Sequence, residues 1–262
     1  MAKAFIFRAR YKRMDPDGFL KIARTLGVSE KFMQSDEGLA VNDGARSLVY
    51  SQPGTKFGGL LFYTDQSQSL GAVCDKLVDD EAAKAWAYAF LKDFDLLPHR
   101  SRDERIVFKL GVSASPTKAV SFDGREKHKV TINTEFITRL TLNRIPITGP
   151  RAKIRMAFKQ QETPIMILRG IWEDIEIFDE KEIVPEAEIV KAVSERLVLR
   201  RNDKANYRMV DIKLAYFAGE FHAEPDLLEP YYFVEVEFDD PKAREVGIKQ
   251  GPRQMLRLPA CR

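Results

Sequence analysis

The sequence predicts an α+β protein of two related units, each an antiparallel sheet with one long helix packed across a face. Three observations predict it. Stretches alternating apolar and polar residues recur along most of the chain. Two amphipathic segments with acidic first turns, Asp80 to Phe94 and Glu186 to Leu199, each precede an alternating strand. Finally, the order hairpin, helix, two strands runs from Ser47 to Leu140 and again from Ala152 to Phe238. A single amphipathic helix buries its stripe against one face of such a sheet. Duplicating that unit accounts for 262 residues without a parallel core. The expected division is an N-terminal α+β unit over 1–140 and a C-terminal α+β unit over 141–262.

Taken in order, Ala4 to Arg10 places Phe5 and Phe7 on one face of a first strand. Asp15-Pro16 reads as an N-cap followed by a first-turn proline; Phe19, Leu20, Ile22, Ala23 and Leu26 give a helical face that Gly27 stops. From Leu39 to Thr64 the pattern is β. Asn42-Asp43-Gly44 and Gln52-Pro53-Gly54 mark turns around strands at Ser47–Tyr50 and Gly59–Tyr63. Gly58-Gly59 lacks the Lys-Ser/Thr of a phosphate loop and reads as a bulge or close backbone approach.

Ala82, Ala85, Trp86, Ala89 and Phe90 recur at helical spacing, and the small alanines predict close packing of this stripe on a sheet. Leu96-Leu97-Pro98 ends the helix. Arg105 to Val112 is a strand, a Ser/Pro/Gly-containing loop follows, and Lys129 to Leu140 is the next strand. Ala152, Ile154, Met156 and Phe158 then alternate with Arg151, Lys153, Arg155 and Lys159, predicting a strand with one apolar and one basic face. Ile165 to Phe178 returns as a long strand with a break at Gly170. Ile189, Val190, Val193, Leu197 and Val198 supply the buried face of the later helix, and strands follow at Arg208–Phe217 and Tyr231–Phe238. The polar tail from Lys242 to Arg262 has no assigned element.

The run Leu142-Asn143-Arg144-Ile145-Pro146-Ile147-Thr148-Gly149-Pro150, with Ala152-Lys153-Ile154-Arg155 after it, resembles a segment of bacterial PepSY-like and thermolysin/fungalysin-propeptide-like proteins. There a Leu-Asn-Gly-Ile-Pro-Val, Gly-Pro-Gly phrase introduces a strand, and a second strand ending near a Trp follows. The helix from Asp80 to Pro98 is similar to that family's acidic-start helix closing on Leu-Leu-Pro. The resemblance covers roughly Val78 to Phe238, in pattern more than in identity. It departs at Arg144 and Arg151, where the family has glycine. It implies a PepSY-like or cystatin-like fold in the two-unit arrangement of YycH- and YycI-type regulatory proteins. It also implies a non-catalytic module that binds or restrains a protein partner, such as a protease or signalling protein.

Composition and motifs narrow the function. Hydrophobic residues make up 44% and charged residues 31%, as in an ordered globular protein. A net charge of +3 from 42 basic and 39 acidic residues does not support a nucleic-acid interface, and Arg8 to Arg13 reads as a solvated strand end. No window is long and apolar enough for a signal peptide or a membrane span, so the expectation is cytoplasmic, although the resembled family is mostly exported. His99, His128 and His222 show no zinc-site spacing, no Gly-x-Ser-x-Gly elbow locates a serine nucleophile, and Cys74 has no neighbour to activate its thiol. The acidic pairs Glu173-Asp174 and Asp179-Glu180 read as solvated strand ends. No cofactor or metal is expected.

The candidate site is the basic face Arg151, Lys153, Arg155 and Lys159. It is either a docking face for an acidic protein surface or an exposed face balanced by cross-strand pairs with Glu173 or Glu176. The expected function is non-enzymatic protein binding. An enzyme or small-ligand binder with a site in a cleft between the units is the alternative. A homo-oligomer pairing exposed sheet edges is a third.

Overall fold

The structure is a computed structural model. It describes residues 2–29, 31–55, 58–68, 76–99, 101, 103–122, 127–170, 172–200, 207–219, 227–238 and 253–262, with backbone alone for 119–122, 127–130, 150 and 196–200. Among the described residues, strands make up 51% and helices 19%. This overturns the expected pair of related units, each with one long helix. The described residues are mostly sheet, the three α-helices among them span only 10, 14 and 15 residues, and two of these belong to the same unit. One cause lies between Ser113 and Phe122. The serines and the proline there suggest a loop, yet the strand continues through them as half of a long hairpin. Cross-strand pairing with the β-branched stretch opposite overrides the weak local propensity.

Two compact units interleave along the chain instead of dividing it at residue 140. The larger is Ala9–Glu176 with Ala218–Asp226; the smaller is Met1–Arg8, Ile177–Phe217 and Leu227–Arg262. Strand β1 (Lys3–Arg10) belongs to both. In the larger unit come helix α1 (Pro16–Thr25), then β2 (Met33–Gln34), β3 (Gly38–Asn42), β4 (Arg46–Ser51) and β5 (Leu61–Asp65). Helix α2 (Asp80–Asp93) follows, then β6 (Phe108–Phe122), β7 (Lys127–Leu142), β8 (Ile145–Thr148), β9 (Ile154–Phe158) and β10 (Met166–Arg169). Antiparallel ladders join these strands in the order β2-β3-β4-β5-β10-β9-β7, with β6 and β8 also on β7.

Local chemistry explains the helix ends. Asp15 Oδ1 accepts from Gly18 N at 2.8 Å and Pro16 occupies the first turn, where a missing N–H costs nothing. Gly27 ends α1 at φ +71°, the left-handed conformation that suits glycine. Asp79 caps α2 through Ala82 N at 2.8 Å, and Asp80 and Glu81 sit at the positive end of its dipole. The core face of the sheet carries Leu39, Leu48, Tyr50, Leu61, Tyr63, Met156 and Ile167, each at most 2% exposed. Phe19, Ile22 and Ala23 of α1 are buried as well.

The expected long strand from Ile165 is broken. It ends at Arg169, Gly170 N donates to Lys153 O at 3.1 Å, and β11 (Asp174–Glu182) resumes beyond. The Leu142–Ile145 hairpin has a two-residue turn whose central residues, Asn143 and Arg144, both have positive φ, at 50° and 70°. That is a primed turn whose twist matches its strands.

The smaller unit holds β11 from Ile177, α3 (Glu186–Arg200), β12 (Tyr207–Phe217), β13 (Leu227–Phe238) and β14 (Arg253–Pro259). Strand β13 pairs with both β12 and β14, and also meets β1 at Phe7 and Arg8. Ile189 and Val193 of α3 pack with Tyr232, Val234, Val236, Phe238 and Leu256. The side chains of Leu197 and Val198, expected on that face, lie outside the described residues. Within the polar tail, Arg253–Pro259 is a strand, with Val234 opposite Leu256. No helix among the described residues is long and apolar enough to cross a membrane.

Candidate functional site

Helix α2 carries apolar residues around more than half its circumference, so its periodicity does not say which face meets the sheet. Packed against β6 and β7, it buries Leu91 and the small Ala83 and Ala87, which let the backbones approach. The stripe expected in the core lies about one residue round. Ala85 and Ala89 are exposed, while Trp86 and Phe90 are half-buried. Trp86 leans on Phe158 with ring centroids 6.0 Å apart, and Phe90 on Phe94 at 4.8 Å.

That uncovered stripe forms one wall of a groove of about 700 Å³. The end of α1 (Lys21, Thr25, Leu26) forms the other wall, and the loop Glu162-Thr163-Pro164 closes one end. Lys21 Nζ sits 5.7 Å from the Phe94 ring centroid, in reach of a cation–π attraction.

Thr25, Leu26, Thr163 and Pro164 also line a second, polar cavity of about 410 Å³. Arg46, Asp65 and Lys159 are its charged groups. Asp65, 9% exposed, accepts from Ser67 N at 2.9 Å and Ser67 Oγ at 2.5 Å. Arg46 donates through Nη1 to the carbonyl of Gly27, which otherwise ends α1 without a partner. Its Nε is buried and lies 3.6 Å from Asp65 Oδ2, too far for a hydrogen bond. Lys159 Nζ donates to Gln68 O. The combined site is an apolar trough with a polar end of mixed charge.

The four basic residues proposed from sequence do not share one exposed face. Arg151 lies in a short 3-10 turn, is 4% exposed, and stacks over the Tyr11 ring at 5.3 Å. Arg155 pairs with Glu135 on β7, at 2.6 Å through Nε and 2.5 Å through Nη2, in place of Glu173 or Glu176. Lys159 turns to the polar cavity, and Lys153 is exposed. The reason is position in the sheet. Strand β9 is flanked by β7 and β10, so Arg155 meets a cross-strand partner on β7, Glu135, directly beside it.

A third cluster gathers around Arg169, which is 2% exposed and donates from Nε to Leu96 O at 2.6 Å. Burial lowers its pKa to about 10, and the field of Tyr50 and Glu173 opposes that shift. Above it, Lys12 Nζ bonds Asp95 and lies 3.9 Å from Glu173 Oε1, while His99 Nε2 is 3.2 Å from Asp95 Oδ1. The Lys12 hydrogen bond holds the Asp95 carboxyl below its usual range. Asp95, His99 and Glu173 place ligand atoms within 4.8 Å of one another, as a metal site would. The Lys12 ammonium already supplies their cation, so the cluster reads as an ion-pair knot. His99 N also donates to Glu173 O at 2.8 Å, and Glu173 N to Arg10 O at 2.8 Å, tying three segments together.

Within the Arg8–Arg13 run, Arg8 lies 4.5 Å over the Phe178 ring, and Arg10 bonds Glu176 at 2.6 Å. Gly59 has φ +78° with the Tyr11 ring where a Cβ would sit, a close approach of the kind its sequence suggests. Cys74, the His222 loop and the His128 side chain lie outside the described residues. His99, the histidine whose side chain is described, faces Asp95.

No family model matches the chain, and no curated protein matches it. Among solved structures it is similar to an uncharacterized protein from Eubacterium rectale ATCC 33656. The TM-score is 0.50 at 12% identity, over 98% of this chain and 82% of that one. At that identity the likeness concerns the fold alone.

Proposed function

We propose that this protein is a non-catalytic binding module that holds an apolar-faced segment of a partner protein in the groove beside α2. The observation that carries the reading is the uncovered stripe of Ala85, Trp86, Ala89 and Phe90. A helix that presents small and aromatic residues at i, i+4 spacing to open space offers the anchors that helix-in-groove recognition uses. Aromatic side chains in such troughs dominate binding energy. The PepSY-like pattern of the sequence agrees with a protein-restraining role, and the mixed charge at the polar end suits orientation more than strong steering.

Ala89→Glu tests it. The position is exposed and helical, so the fold should tolerate glutamate within about 0.5 kcal/mol. An unpaired carboxylate in the trough should cost about 2 kcal/mol of binding, roughly thirtyfold, for a partner recovered from the native host. Charge reversal at Lys153 should cost less than threefold. Equal recovery by wild type and Ala89→Glu would reject the groove.

A second reading is favoured by size. The two cavities, about 410 and 700 Å³, fall in the range of small-ligand sites. An amphiphilic small molecule that shifts Trp86 fluorescence in wild type but not in Ala89→Glu would select it.

A further inference from the structure

The polar cavity of about 410 Å³ is lined within the larger unit by two cations, Arg46 and Lys159, and one acid, Asp65. Hydroxyl and amide groups of Thr25, Thr163, Gln160 and Gln161 add to its polar lining.

Arg46 is fixed where it stands. Its backbone N donates to Asp43 Oδ1 at 2.7 Å, its Nη1 donates to the Gly27 carbonyl, and Asp65 Oδ2 lies 3.6 Å from its Nε. A Cβ at Gly27 would come within 2.6 Å of Nη1, so the glycine that stops α1 also makes room for the guanidinium. Capping α1 therefore uses Nη1, and facing Asp65 uses Nε. The N–H groups of Nη2 meet no acceptor among the described residues, and unlike Nε that edge is not enclosed by protein. A guanidinium already held by its own protein loses little freedom when its last edge takes an acceptor.

The structure assigns this cavity as a binding site for a small monocarboxylate whose body carries hydroxyl groups. The carboxylate takes the Nη2 edge of Arg46 in a charge-assisted hydrogen bond, in the same lining as the Lys159 ammonium. Asp65 limits how much charge the ligand can bring. Its Oδ1 accepts from Ser67 N and Ser67 Oγ, its Oδ2 turns to Arg46, and its carboxylate repels a second negative charge in the cavity. Threonine hydroxyls and glutamine amides both donate and accept, which suits hydroxyls on the ligand body. The volume leaves room for a molecule of sugar size. The assignment does not depend on what occupies the groove.

Ligand-observed NMR titration of the full chain at low ionic strength tests it, with gluconate as the probe. Glucose matches the hydroxyls without the charge, and inorganic phosphate brings a second charge without the hydroxyl body. Wild type should bind gluconate at about 1 mM, the reach of two or three charge-assisted hydrogen bonds, and the other two at least about tenfold more weakly. Gln161 is exposed and lines this cavity but not the groove, so one position can move the local charge in both directions. Gln161→Lys should tighten gluconate about threefold and Gln161→Glu should weaken it about threefold, opposite shifts that misfolding does not produce. Arg46→Met should lose at least about tenfold, with circular dichroism reporting its fold. Ala89→Glu should bind gluconate as wild type does, which separates this cavity from the groove. Glucose or phosphate binding as tightly as gluconate, Gln161 variants that shift affinity in the same direction, a folded Arg46→Met equal to wild type, or no gluconate binding by wild type overturns the proposal.

Discussion

Arg144 occupies a backbone conformation meant for glycine, and replacing it should stabilise the protein. Its φ is +70°, beside Asn143 at +50°, in the two-residue turn between β7 and β8. The left-handed region costs an L-residue with a Cβ roughly 1–2 kcal/mol; asparagine tolerates it through local hydrogen bonding, and arginine has no such help. Asn143 is held there by partners: Val107 N donates to Asn143 Oδ1 at 2.7 Å, and Asn143 N donates to Val107 O at 2.8 Å. Those bonds keep the turn in place whichever residue follows. Arg144 is exposed, so truncation removes no core packing. Against the relieved strain stands the extra conformational freedom glycine gives the unfolded chain, about 0.4–1 kcal/mol. The balance for Arg144→Gly is a gain of roughly 0.5–1 kcal/mol. For a chain of this size that raises Tm by about 1–4 °C. Differential scanning calorimetry with urea unfolding reads it directly. An unchanged or lowered Tm would show that the turn carries no strain at this residue.

Other outcomes follow from close packing and from burial. Gly149 has φ +112°, and a Cβ there would lie 2.4 Å from the Ala218 carbonyl oxygen, so Gly149→Ala should lose at least about 2 kcal/mol of stability by urea unfolding. Burial pushes the Tyr50 and Tyr63 hydroxyls up to about 12 from 10.0. A folded value above the unfolded one means the stabilising contribution is present below pH 10 and is lost as pH rises through 12. Urea midpoints should therefore fall between pH 10 and 12, and phenolate absorbance should show late-titrating tyrosines. Tyr50→Phe should shrink both effects, while a midpoint flat across that window would contradict the burial.

Several elements were legible in the sequence because a local rule decides them. Asp15-Pro16 and Gly27 bracket α1 by capping chemistry, and Asn42-Asp43-Gly44 makes the β3–β4 turn, with Asn42 Oδ1 accepting from Gly44 N at 2.7 Å. What depends on distant partners was not legible. In α2 the apolar pattern covers too much of the helix to choose a face, and the sheet selects Ala83, Ala87 and Leu91 over the alanines beside Trp86. Ser113 to Phe122 reads as a loop until β7 pairs with it, and Arg253–Pro259 becomes a strand because β13 offers an edge. The repeat failed for the same reason: a matching order of elements does not fix how many helices share one sheet. Arg151 reads as part of a basic face, but the 3-10 turn at Pro150–Ala152 carries it inward over Tyr11. The groove had a sequence signal, the Ala85-Trp86-Ala89-Phe90 stripe, though as a core face.

The most direct measurement of the central claim is site-specific photo-crosslinking in extract of the native host. A benzophenone side chain placed at Ala89, on the groove wall, should capture a protein partner. The same group at Glu195, exposed on α3 of the smaller unit, should not. Trypsin mapping should place the adduct on an apolar-faced segment of that partner. No adduct at Ala89, or equal capture at Ala89 and Glu195, would contradict a binding groove beside α2.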